Sequence, residues 1–507
     1  MKKLILRPYL IVAALVLQLG FLFVLVEYLS TISPLVSFVV QVVSVMAMLL
    51  ILNKSGRSDF KLPWIILILS APILGGIVYF LTEGKGESRK QKEAYLAAEK
   101  ETQRCTAGQL GTAIRQIEAE DPIVAGQFNY LERRGFPAYE NTDCTFYGMA
   151  DDAFPAMLAA LESAEKYIFL EYFLLHRNSM WQEILEILER KAAAGVEVRV
   201  LYDDMATMSR LPGNYPRTLA AKGIRCIAFN RFIPVCAIIM NHRDHRKIMV
   251  VDGLVAFTGG YNLSDEYINR EKLYGDKWKD TGVRLEGDAA YALTLEFLTM
   301  WNSANDLGIQ EPPEKFRPQQ IVQRKSDGIV QPYAHTPLEG GQILGDIYRN
   351  MMNQACRYVY IYTPYLIPDS ETMFALCLAA DRGVDVRLIL PGVSDRKVIG
   401  HVTHAHYDLL LEHGVRLYEY EPGFVHAKCV VADDKVASVG TGNLDCRSLY
   451  HSYENGCLFY RSGVVAALRA DFEDTLAECR PVEPKPHTFH FLSGVYYAVL
   501  RVFSPLL

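Results

Sequence analysis

The chain is 507 residues long and half apolar, with 52 basic against 58 acidic side chains and a net charge of −6. That balance argues against a protein that grips nucleic acid through bulk positive charge. Its 10 cysteines are scattered, with no Cys-x-x-Cys and no Cys/His pairing at zinc spacing, which argues against a metal knuckle or a disulfide-stapled secreted domain and fits reduced thiols in a cytoplasmic domain.

Residues 1–82 read as a membrane anchor. Apolar runs over 10–26 and 35–52 have bilayer-spanning length and are separated by a turn at Ser33 and Pro34, and a third run, 64–81, contains Pro72, Gly75 and Gly76. Two to three transmembrane helices are therefore expected. A cleaved signal peptide is disfavoured, because no small-residue cleavage site follows the first run. Basic residues flank every run (Lys2, Lys3 and Arg7; Lys54, Arg57 and Lys61; Lys85, Arg89, Lys90 and Lys92) and so choose no side of the membrane. Residues 83–127 are charged and rich in Ala, Glu, Lys and Gln, the pattern of an exposed helical spacer.

Beyond this linker the chain is duplicated, residues 128–325 against 326–485. Strand-like 167–173 answers 358–364, the helix end and strand of 191–202 answer 380–390, and 221–225 answers 412–416. Strands alternating with helices predict α/β halves around a largely parallel sheet. Residues 486–507 form an aromatic and aliphatic tail, read as an amphipathic segment that packs on the core or lies at the bilayer interface.

Each half then carries one copy of a motif: His245-Arg246-Lys247 with Asp252, and His426-Ala427-Lys428 with Asp433. A glycine turn follows each, ending at Asn262 in the first and Asn443 in the second. Two such motifs arise in one chain by accident on the order of once in a thousand. The apolar residues between Lys and Asp predict a strand with His and Lys on one face. Brought together, the halves supply two imidazoles, two ammonium groups and two amides, an inventory suited to a phosphodiester. Lys247, Lys428, Asn262 and Asn443 would hold the non-bridging oxygens, while one histidine attacks phosphorus and the other protonates the leaving oxygen. No metal cluster is needed; His401, His404 and His406 lack ligand spacing, and His242 is close enough to line the site. The duplication nominates Asp280 to orient His245 and Glu454 to orient His426, with an insertion over 267–277 displacing Asp280 along the chain. Asp252 and Asp433 are expected to hold the two halves in register.

At these residues, together with Trp278-Lys279-Asp280-Thr281 and Tyr362-Thr363-Pro364-Tyr365, the chain resembles the phospholipase D superfamily with two HKD motifs, and more narrowly the bacterial cardiolipin synthases. The resemblance implies two tandem phospholipase D-like α-β-α sandwich halves related by a pseudo-twofold axis. It implies a ping-pong transfer of a phosphatidyl group between two phosphatidylglycerol molecules, without cofactor, giving cardiolipin and glycerol through a phosphatidyl-histidine. It points to His245 as nucleophile and His426 as acid and base, with Lys247, Asp252, Lys428 and Asp433 completing the catalytic set. It also implies a multi-pass protein of the bacterial cell membrane with its catalytic part in the cytoplasm, although two spans rather than three are usual. The partners expected are phospholipid and bilayer, with no nucleic acid; the sequence specifies no oligomeric state. The alternatives are hydrolysis by a phospholipase D or nuclease, since water competes as acceptor, and a catalytically silent membrane scaffold, which intact motifs in both halves disfavour.

Overall fold

In the computed structural model the described residues are 33–54, 57–71, 89–231, 242–304, 311–319, 323–324, 328–338, 342–484 and 491–506, with isolated positions between 20 and 79. They fall into two compact units, one holding the N-terminal segment and the C-terminal tail, the other holding Arg89–Arg231 and His242–His490.

In the first unit, helix α1 (Pro34–Asn53) meets helix α2 (Ser58–Ser70) around Ile51, Trp64 and Ile68. The C-terminal helix Phe491–Phe503 packs on α2, so the tail groups with the N-terminal segment. Much of the apolar surface faces outward: Leu35, Phe38, Val43 and Leu50 on α1, Val495 and Val499 on the tail helix. Among the described residues no helix is long and apolar enough to cross a membrane. The run 10–26 lies outside the continuously described residues, and the run from residue 64 is interrupted where α2 ends at Ala71.

The second unit opens with helix α3 (Arg89–Thr106), whose Tyr95, Ala98, Thr102 and Thr106 are buried. This differs from the solvated spacer expected over 83–127: the charged residues occupy one face and hide an apolar stripe on the other. The first half contributes β1 (Thr142–Tyr147), β2 (Tyr167–Tyr172), β3 (Glu197–Asp203), β4 (Arg225–Phe229), β5 (Arg243–Asp244), β6 (Lys247–Val251), β7 (Val255–Gly259), β8 (Lys277–Lys279), β9 (Gly282–Gly287) and helix α4 (Asp288–Ala304). The second contributes β10 (Ile329–His335), β11 (Tyr358–Tyr362), β12 (Leu366–Ile367), β13 (Asp385–Pro391), β14 (Arg416–Tyr420), β15 (Gly423–Val425), β16 (Cys429–Ala432), β17 (Val436–Gly440), β18 (Leu444–Asp445), β19 (Ser452–Tyr460), helix α5 (Gly463–Leu476) and β20 (Cys479–Pro481).

The first sheet runs β1-β9-β7-β6-β2-β3-β4 and the second β10-β19-β17-β16-β11-β13-β14-β20, one order repeated and extended by β20. Along these two orders, among the described residues, only β2-β3-β4 and β11-β13-β14 are parallel, so the largely parallel sheet expected is corrected to a mixed one. The motif strands β6 and β16 turn straight back into β7 and β17, and so tight a connection forces antiparallel pairing. Each half has an outer core of its own, and one core between the sheets is shared, joining Phe169 and Phe297 of the first half to Tyr360 and Phe472 of the second.

Asp252 and Asp433 end the motif strands in left-handed backbone, φ 53° and 56°, about 16 Å of strand from the lysine. The Asp252 carboxylate accepts the N–H groups of Glu165, Lys166 and Tyr167 at 2.7–2.8 Å. Asp433 does the same for Cys356, Arg357 and Tyr358 at 2.7–2.9 Å. Each aspartate thus pins the start of β2 or β11 within its own half. That corrects both readings of the pair: they neither join the halves nor reach the reacting atoms. Replacing Asp252 by Ala leaves three N–H groups without their acceptor and is expected to cost about 3 kcal/mol of stability. The loss should register in the thermal midpoint, not in the turnover of protein kept cold.

Candidate active site

β6 and β16 lie inside their sheets and are buried along their whole length, which is why their sequences are continuously apolar. Each begins at or beside the motif lysine, with the histidine on the short segment before it. That segment pairs with the other half. β5 runs parallel to β19 with Asp244 opposite Tyr453, and β15 runs parallel to β8 with Val425 opposite Lys279. The His245 N–H donates to the Tyr453 carbonyl at 2.9 Å, and the His426 N–H to the Lys279 carbonyl at 2.7 Å.

One residue further in each register, the imidazoles meet their acids. His245 Nδ1 lies 2.9 and 3.0 Å from the Glu454 carboxylate oxygens, and His426 Nδ1 lies 2.6 Å from Asp280 Oδ2. Asp280 and Glu454 therefore lie against the histidines' Nδ1 atoms, but with partners exchanged from those expected. The cause is the crosswise strand pairing, which matched positions in a duplication do not reveal. Both acids are braced, Asp280 by the Thr281 N–H at 2.9 Å and Glu454 by the Thr441 hydroxyl at 2.5 Å. A side chain at Gly260 would collide with the Asp280 carboxylate, so this turn needs glycine where the second motif carries Thr441. With Nδ1 bound to a carboxylate, each ring turns Nε2 toward the centre.

Lys247 and Lys428 are buried, and each ammonium donates to the carbonyl of the histidine two residues before it. Burial pushes Lys247 down to about 7 and Lys428 down to about 8. It pushes Asp280 up to about 7 and Glu454 up to about 8, against the pull of Lys428 and Lys247 respectively. Burial, then the two ammonium groups, hold both imidazoles well below their ordinary range. A buried centre of this composition resists separated charge, and an incoming anion is what lets the lysines carry theirs.

Aromatic rings enclose the histidines. Phe173 stands edge-on to His245 at 4.9 Å, while Tyr267 and Trp278 lie 5.4 and 5.6 Å from His426. These residues and Thr441 had no assigned role in the sequence, although all sit in or beside the duplicated segments. Asn262 braces a loop, its carbonyl oxygen accepting the Leu174 N–H at 3.0 Å and its amide donating to Tyr267 Oη at 2.8 Å. Asn443 donates to Asp445 Oδ2 at 3.0 Å. Each carboxamide keeps one N–H beyond these contacts. His242 stacks on His451 at 6.4 Å, and His404 lies 3.3 Å from Glu419.

The arrangement can bind a tetrahedral anion between two ammonium groups while holding two imidazoles on it. Binding of tungstate should weaken by about tenfold or more from pH 6 to pH 9, as Lys247 and then Lys428 lose their protons. Lys247→Met should remove the part of that titration near pH 7. Titration calorimetry across the range measures both, and a flat profile would contradict the assignment.

The family described as "Cardiolipin synthase, PLD-like domain" matches residues 157–301 and 348–476, one match in each half, and "Phospholipase_D-nuclease N-terminal" matches 42–82. An "Uncharacterized protein" of Streptococcus mutans is 40% identical over 86% of this chain and 94% of its own. A "Cardiolipin synthase" of a Geobacillus strain is 31% identical over 90% of both chains, and "Cardiolipin synthase 1" of Bacillus anthracis 30% identical over 92% of both. Among solved structures, phosphatidylserine synthase of Haemophilus influenzae superposes with a TM-score of 0.55 at 16% identity, over 72% of this chain and 93% of that one; at that identity it shows the shared fold.

Proposed function

The chain belongs to the cardiolipin synthase family of phospholipase D-like phosphatidyltransferases, and from that premise we propose that it transfers a phosphatidyl group between two phosphatidylglycerol molecules, releasing glycerol and forming cardiolipin. The observation that supports this most strongly is the crosswise pair of His–carboxylate couples facing two buried lysines.

In the first step, the Nε2 lone pair of His245 forms a bond to phosphorus. The phosphorus–oxygen bond to glycerol breaks, and its electrons go to the departing oxygen, which takes the proton held on His426. Charge growing on the non-bridging oxygens is met by Lys247 and Lys428 and by the remaining amide N–H of Asn262 and Asn443. In the second step, neutral His426 takes a proton from a hydroxyl of the second lipid. That oxygen bonds to phosphorus, the phosphorus–nitrogen bond breaks, and the electron pair returns to His245.

Transfer outcompetes hydrolysis only where water is kept from the phosphatidyl-histidine, and Phe173, Tyr267 and Trp278 around the two rings supply apolar cover. The outward apolar side chains of α1 and the tail helix support a seat on the bilayer of a bacterial cell, with the catalytic unit on the cytoplasmic side where its lipid substrate is made. No cofactor enters either step.

Purified full-length protein in phosphatidylglycerol vesicles should produce cardiolipin and glycerol in equal amounts; phosphatidic acid alone would overturn the transferase reading. With an activated leaving group in place of glycerol, His426→Ala should accumulate a lipid adduct on His245, detectable by mass spectrometry. An adduct on His426 in His245→Ala would reverse the roles.

A further inference from the structure

Alternation along the extended segment sends Arg246 to the side opposite His245 and Lys247, where its side chain is fully buried. It meets three separate pieces of chain there. Nη2 donates to Tyr95 Oη of α3 at 3.0 Å and to the His335 carbonyl of β10 at 3.4 Å, while Nη1 lies 3.9 Å from a Glu171 carboxylate oxygen on β2. The guanidinium also sits 5.6 Å from the ring of Tyr453, the residue whose carbonyl holds the His245 N–H. Beside it is a cavity of about 40 Å³, lined by Tyr95, Tyr139, Arg246 and Glu296 among others. Arg246 Nε and Nη1, both Glu296 carboxylate oxygens and Tyr139 Oη have no protein hydrogen-bond partner. A space of that size takes a few water molecules and nothing larger.

The arrangement is one-sided. In the second motif the corresponding residue is Ala427, and the ion pair nearest in character is Lys279 with Asp471 at 2.8 Å, beside Tyr362. Tyr95 therefore acts on the first motif alone.

We propose that Arg246, held by Tyr95, is a positioning residue for the transfer reaction. Its anchored side chain fixes the peptide between His245 and Lys247 from behind, which makes α3 part of the active-site scaffold. This rests on the phosphatidyl-transfer reading of the histidine centre. The physical ground is that a buried guanidinium cannot exchange a lost partner for bulk water. It must shift to find another, and it carries the flanking backbone with it. A misplacement of about 1 Å costs catalysis up to a hundredfold.

Tyr95→Phe deletes one hydroxyl and keeps the packing. Its kcat for glycerol release from phosphatidylglycerol should fall about tenfold with KM essentially unchanged. Arg246→Lys, which keeps the charge but loses the fork, should fall in the same way. Tyr130→Phe is the control. It loses a tyrosine–carboxylate bond to Asp346 of 2.5 Å, remote from the motif, and should lower the thermal midpoint while leaving kcat unchanged. Turnover of Tyr95→Phe equal to wild type, or a fall in kcat no larger than that of Tyr130→Phe, would overturn the proposal. If wild type releases no glycerol, the functional reading fails instead. Cleavage of a phosphodiester with an activated leaving group then still compares Tyr95→Phe with wild type, because the attack on phosphorus is the step being positioned.

Discussion

Two short parallel pairings, β5 with β19 and β15 with β8, are the contacts on which the site depends. Each is two or three residues long, yet each carries a motif histidine out of its own half and against a carboxylate of the other. An imidazole whose second nitrogen is unfixed has neither a defined tautomer nor a defined direction. Each half alone therefore lacks one partner of each couple: His245 has Glu454 only if the second half is present, and His426 has Asp280 only if the first is. The shared core between the sheets supplies the rigidity that such short pairings lack.

The same burial that orders these groups makes them reluctant to ionise. Ammonium groups are pushed down, carboxylic acids up and imidazoles down, all with desolvation as the leading cause. A phosphodiester reverses that tendency, because its charge pairs with the lysines and leaves the His–carboxylate couples to share protons among themselves. The centre is thereby suited to respond to an anionic substrate.

Much of this was legible in the sequence. The duplication, the buried motif strands and every residue of the two His–Lys–acid sets could be read from residue type and spacing. The exchange of acids between the halves could not, because aligned repeats show which positions correspond and not which half supplies a neighbour. The mixed sheet was legible in the sequence all the same: Asp252, Gly253 and Leu254 form a tight turn between two apolar runs, and a turn that short joins only antiparallel strands. The burial of α3 was also present in the spacing of Tyr95, Ala98, Thr102 and Thr106, all on one helical face, but the charged residues between them dominated the composition. The expected membrane spans rest on apolar runs that the described helices cover only in part.

Duplication raises a question of symmetry. Identical half-sites would titrate identically, whereas the reaction needs one neutral nucleophile and one proton donor. The two copies share His, Lys, Asp and Asn but differ at several positions around them. Gly260 stands where the second copy has Thr441, Arg246 where it has Ala427, and an aspartate 2.6 Å from one histidine where a glutamate is 2.9 Å from the other. None of these differences touches the reacting atoms. They make the surroundings of the two imidazoles unequal, which the proposed division of labour requires.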